Sequence, residues 1–173
     1  MTDAVNLIKA AAPGLPSYAQ SFASAQDGWI LVGGPPATAQ EDLYLFQTVN
    51  GGKSWSLERH TTWTKCTSSP GSCTFLDGTG ELSMAFWNGQ NGVITEAMMA
   101  IAEIAVYRTA DGGRNWSLSV ISLPHQPQTA VLTAQGASLT LTISYPGHGS
   151  NLIDRSTNGG LTWRPLNAQI PAG

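Results

Sequence analysis

The chain has 173 residues, enough for one domain with a real core. Only 11% are charged and the formal net charge is −3, and the eight Lys and Arg are scattered, which argues against nucleic acid as a partner. Glycine, proline and hydroxyl residues between apolar runs give the composition of an all-β protein with many turns, and no apolar run approaches the ~20 residues that span a bilayer.

The opening stretch from Ala4 to Ala12, closed by Pro13 and Pro16, reads as a weak helix or tail over residues 1–17. No signal peptide is visible in it; a natural signal or anchor already removed and a cytosolic protein with a frayed end both remain open. From residue 18 the chain reads as strands in groups of four, recognised by period-two alternation and turn residues. The first group covers 18–24, 28–32, 43–48 and 55–59. The second covers 81–87, 93–97, 102–109 and 116–121. The third covers 129–134, 138–144, 151–156 and 163–166, with its first turn at Gln135-Gly136, and residues 168–173 form a tail.

Between the first two groups lies an insertion, 60–80, in which Cys66 and Cys73 bracket a Pro-Gly turn. The spacing suits a disulfide closing a small loop, which would imply an oxidising compartment, with two free thiols in a cytosolic protein as the alternative. A metal at this pair would need further ligands, and no His or other Cys lies within a short spacing. No metal or other cofactor is expected.

Each group carries the same eight-residue turn between its third and fourth strands. The copies are Thr48-Val49-Asn50-Gly51-Gly52-Lys53-Ser54-Trp55, Thr109-Ala110-Asp111-Gly112-Gly113-Arg114-Asn115-Trp116 and Ser156-Thr157-Asn158-Gly159-Gly160-Leu161-Thr162-Trp163. A hydroxyl residue, an Asx acceptor, a glycine pair able to take positive φ and a closing Trp make a hairpin with a buried ring at its exit. The tryptophans stand 61 and 47 residues apart, close to the ~40–50 residue period of propeller blades.

The pattern resembles the Asp-box, or BNR, repeat, in which a hydroxyl residue, Asp, Gly and an aromatic recur at these positions; Asn50 and Asn158 replace the preferred Asp, and Asn115 the preferred hydroxyl. The resemblance covers about residues 18–167 and implies an all-β fold of three four-stranded antiparallel propeller-like blades, at about 18–59, 81–121 and 129–167. In that family, which includes sialidases, sortilin-type receptors and photosystem assembly factors, the box is a folding element. The resemblance therefore gives structural roles to Thr48, Asn50, Gly52, Trp55, Thr109, Asp111, Gly113, Trp116, Ser156, Asn158, Gly160 and Trp163. It also places any binding surface on the opposite rim, made by 33–42, 60–80, 96–101, 123–128 and 145–150.

Propellers close with ~4–8 blades, so three blades leave open ends that a second copy or another protein would cover. Two arcs forming a six-bladed ring are one solution; another compact arrangement of the sheets, or a longer propeller of which this is a piece, are others. On the expected rim, Met98 and Met99 are apolar where a hairpin tip should be polar, the alternative being a partly helical segment folded onto the sheet. Trp63 and Tyr145 are aromatics on loops, and His125 and His148 are loop histidines. These six residues are the candidate binding set, with no catalytic residue and no metal ligand among them.

Sialidase chemistry would need an arginine cluster on the active rim, whereas most of the arginines here sit beside the boxes. A generic glycosidase needs two carboxyls ~5–10 Å apart across a cleft. Glu96 and Glu103 flank one hairpin, but read more simply as solvated strand ends, and Asp154 next to Arg155 reads as a strand-surface pair. The function these residues favour is a non-enzymatic, extracytoplasmic binding or assembly module. The alternative is a carbohydrate-active enzyme or its glycan-binding part.

Overall fold

The computed structural model describes residues 17–33, 42–61, 80–98, 101–147 and 151–166. They form three antiparallel sheets of four strands each, and consecutive strands are neighbours in every sheet. Sheet 1 holds β1 (Ser17–Phe22), β2 (Gly28–Gly33), β3 (Leu43–Thr48) and β4 (Ser56–Thr61). Sheet 2 holds β5 (Glu81–Phe86), β6 (Gly92–Met98), β7 (Glu103–Thr109) and β8 (Ser117–Ser122). Sheet 3 holds β9 (Thr129–Gln135), β10 (Ser138–Ser144), β11 (Leu152–Ser156) and the two-residue β12 (Arg164–Pro165). This is the all-β, three-blade arrangement of a partial β-propeller. No helix among the described residues is long and apolar enough to cross a membrane.

The three repeat turns fold alike because the same side chains bind the same amides. The first hydroxyl accepts a hydrogen bond from the second glycine: Gly52 N–H to Thr48 Oγ1 at 2.9 Å, Gly113 to Thr109 Oγ1 at 2.9 Å, Gly160 to Ser156 Oγ at 2.8 Å. The Asx oxygen accepts the amide four residues on, from Ser54 at 2.9 Å, Asn115 at 2.9 Å and Thr162 at 3.0 Å. Asn50 and Asn158 do the work of Asp111, since a carbonyl oxygen suffices as acceptor. The glycine pair lies at φ between 67° and 104° in all three copies, a region costly for other residues. Burial pushes the Asp111 carboxyl up, but bonds donated by Asn115, Thr109 and Arg114 outweigh it and hold the group below the usual carboxylate range.

The sheets stack face to face, with two cores between them. Trp29, Leu31, Leu43 and Leu45 of sheet 1 meet Met84, Phe86, Ile94 and Tyr107 of sheet 2. Val93, Ile104 and Val106 on the other face of sheet 2 meet Leu132, Leu139, Leu141 and Ile143 of sheet 3. Serines on the innermost strands stitch one sheet to the next, Phe86 N–H donating to Ser21 Oγ at 2.8 Å and Leu132 N–H to Ser83 Oγ at 3.0 Å. The outward face of sheet 1 carries Ile30, Val32, Tyr44 and Phe46. The outward face of sheet 3 carries Val131, Thr133, Thr140, Thr142, Ile153 and Arg155 by alternation.

Two expectations are corrected. Glu96 is not a solvated strand end but lies inside β6 at 0% exposure, accepting hydrogen bonds from the Tyr107 hydroxyl at 3.3 Å and the Gly80 amide at 3.1 Å. Within the stretch from Glu96 to Tyr107 the described residues belong to the β6–β7 pair, with Glu96 opposite Ala105 and Met98 opposite Glu103. Asp154 is not a surface partner of Arg155. It is 6% exposed and faces the core, while Arg155 turns to the opposite face and bonds Ser138 Oγ.

Candidate functional site: a cleft between the second and third sheets

Counting back from each repeat turn aligns three strand ends: Phe46-Gln47-Thr48, Tyr107-Arg108-Thr109 and Asp154-Arg155-Ser156. The registers agree, since Ile30 pairs with Phe46, Ile94 with Tyr107 and Leu141 with Asp154. Where the first two sheets place a large ring, the third places a carboxylate. The neighbouring strand differs in the same way: Phe22 and Phe86 lie opposite Gly28 and Gly92, whose missing Cβ leaves room for the ring, whereas sheet 3 has Ala134 opposite Leu139.

The consequence is space. Between sheets 1 and 2, Phe86 stacks on Trp29 with centroids 3.8 Å apart and meets Trp116 edge-on at 6.1 Å. Between sheets 2 and 3 Ala134 and Asp154 stand in the places of Phe86 and Tyr107, and a cleft of about 340 Å³ opens on the side of Asp154. Its walls are Ser119, Val120, Ile121 and Ser122 of β8, Leu123 and Pro124 just after it, Leu152 of β11, and Leu161, Thr162 and Trp163 of the third repeat turn. It therefore borders a repeat turn, and only Leu123 and Pro124 of its lining belong to the opposite rim that the resemblance implied. Asp154 is the one acid among the residues lining it. Val120 is 49% exposed and Leu161 61%, so both lips of the cleft present apolar surface to solvent.

Asp154 makes no hydrogen bond and no ion pair with any described residue, and burial raises its carboxyl above the usual range. The Trp163 indole N–H is likewise buried without an acceptor among the described residues, whereas Trp116 donates to the Gly113 carbonyl at 2.8 Å. The nearest arginine on sheet 2 is committed elsewhere: Arg108 Nε donates to the Gly159 carbonyl at 2.5 Å. The cleft thus offers the Asp154 carboxylate, without a partner among the described residues, amid aliphatic side chains and the hydroxyl residues Ser119, Ser122 and Thr162.

Of the binding residues expected from sequence, the structure brings two together behind this cleft. His125 is half-buried and meets the Tyr145 ring edge-on at 6.0 Å. Tyr145 is only 2% exposed, so its ring serves the core and offers no free face for stacking. Its hydroxyl is raised by burial and then by the nearby Asp154 charge. Met98 is half-buried at the end of β6 and packs on the first core, away from the cleft. Trp63, Met99 and His148 lie outside the described residues, as do Cys66 and Cys73. Sequence reasoning missed Asp154, although its spacing of two residues before the turn, where the other repeats have Phe and Tyr, marked it. The buried carboxyls Glu96 and Asp154 face different cores, so they do not form an acid pair across one cleft. No three His, Cys, Asp or Glu among the described residues are grouped to hold a metal ion.

No protein-family model matches the chain, and no curated protein matches it in sequence. Among solved structures it is similar in fold to YCF48 bound to D1 peptide, with a TM-score of 0.52, 20% identity and coverage of 88% of this chain. The chain spans 41% of the length of that protein. At this identity the likeness concerns the fold, and it agrees with three blades of a propeller.

Proposed function

We propose that this protein is a non-enzymatic binding or assembly module, acting outside the cytoplasm, whose cleft between β8 and β11 takes up an extended segment of a partner protein. The observation that carries this reading is the cleft itself: a trough of mixed polar and apolar lining that runs beside β8, the edge strand of sheet 2 among the described residues and a strand able to add another by main-chain bonding. The solved structure similar in fold holds a peptide, which supports the same direction. A lining with a single acid suits a peptide better than a glycan cleft with paired carboxyls.

Selection of displayed random peptides against the immobilised chain tests the reading. Enriched peptides are expected to bind with micromolar affinity and to lose at least about tenfold on Val120→Lys, which charges one lip of the cleft. Enriched peptides indifferent to Val120→Lys, or no enrichment, would contradict it.

A further inference from the structure

The geometry points to a cationic side chain on an apolar stem, a lysine of the bound segment, as the group this cleft selects, with its ammonium on Asp154. This deepens the peptide-binding reading and rests on it. Four observations converge. Asp154 is more than nine-tenths buried, lines the cleft and has no partner among the described residues. Trp163 also lines the cleft and adds an aromatic ring to its wall. Ile121, Leu123 and Leu152 in the same lining are aliphatic and match a four-carbon stem.

The fourth is that the protein does not supply the positive charge itself. Arg108 is held by the Gly159 carbonyl, and Arg155 lies on the far face against Ser138. The ionisable neighbours facing Asp154 from the packed elements are Tyr145 and, beyond it, His125. A largely buried carboxylate without a donor among the described residues is poorly satisfied, so a ligand bringing an ammonium gains more here than at an exposed acid. An uncharged isostere gains only the contact with the walls.

N-acetyl-lysine methylamide and N-acetyl-norleucine methylamide separate these two contributions, since norleucine keeps the four-carbon stem and lacks only the ammonium. Binding is read from the indole N–H resonance of Trp163 in a nitrogen-correlated spectrum, assigned by loss in Trp163→Phe. The lysine amide is expected to shift this resonance with a dissociation constant on the order of 1 mM, and the norleucine amide to bind at least about tenfold more weakly. In Asp154→Asn the preference disappears while the remaining spectrum stays folded. Leu161→Lys, at an exposed lip and leaving Asp154 in place, weakens the lysine amide selectively and decides the matter should the buried substitution unfold the chain.

Equal binding of the two amides, absence of any shift, or a lysine preference that survives both substitutions overturns the inference. The two readings fail separately. Peptides that bind through Val120 without enriching lysine, together with indifferent amides, would leave the peptide-binding module standing and remove the lysine site. A lysine amide that binds to a chain capturing no peptide would do the reverse.

Discussion

The two interfaces of this molecule are built from one repeat and end differently. Between sheets 1 and 2, Trp29, Phe86 and Tyr107 fill the space, the Trp29 indole donates to the Gly112 carbonyl at 2.9 Å, and the Tyr107 hydroxyl donates to Glu96. Between sheets 2 and 3 the corresponding places hold Val93, Ala134 and Asp154, and the Gly159 carbonyl is served by Arg108 instead. A buried carboxylate is thus satisfied in the first interface and left without a partner in the second. The difference teaches that the repeat turns set the spacing of the sheets, while the side chain two residues before each turn decides whether the gap between them is core or cleft.

The largest expected effect comes from breaking the closed interface. Trp29→Ala removes a fully buried ring together with its stack on Phe86 and its bond to Gly112, and is expected to cost about 3–5 kcal/mol in urea unfolding. A loss below ~1 kcal/mol would mean that the aromatic stack does not hold sheets 1 and 2 together.

A smaller effect of opposite sign comes from closing the open one. Asp154→Phe places in sheet 3 the ring that Phe46 supplies in sheet 1, removes a carboxyl without partner and fills the cleft, with an expected gain of about 1–2 kcal/mol and loss of cleft binding. The gain carries a pH signature. Because the Asp154 carboxyl is raised in the folded chain, the folded state keeps a proton that the unfolded state releases. The wild type therefore loses stability as pH rises from the unfolded value to the folded one, and the advantage of Asp154→Phe is greater above that interval than below it. An advantage that shrinks with rising pH would contradict the assignment.

Much of this architecture is legible in the sequence, because a turn that needs a hydroxyl, an Asx acceptor and two glycines at fixed offsets leaves a mark at all three places. Alternation then places Leu43 and Leu45 on one face and Tyr44 and Phe46 on the other. The fourth strands were less legible: β4 begins at Ser56 and β12 is only Arg164–Pro165, since outer strands pair on one side and are set by few contacts. The cleft was missed for a physical reason. An acid beside an arginine suggests a surface pair, yet adjacent strand residues point to opposite faces, and Asp154 shares its face with Leu152 while Arg155 does not. Glu96 misled similarly, as nothing local reveals that Tyr107, eleven residues on, supplies its hydrogen bond.

The most direct test of the central claim, that the second interface holds a buried carboxylate awaiting a cation, is a carbon-detected NMR titration of the Asp154 side chain with and without the lysine amide. The account predicts a midpoint above the ordinary aspartate value of about 3.9 for the free chain, drawn downward when the amide is bound. A midpoint at or below the ordinary value in the free chain, unmoved by the amide, would show that Asp154 already has its partner and that the cleft selects no charge.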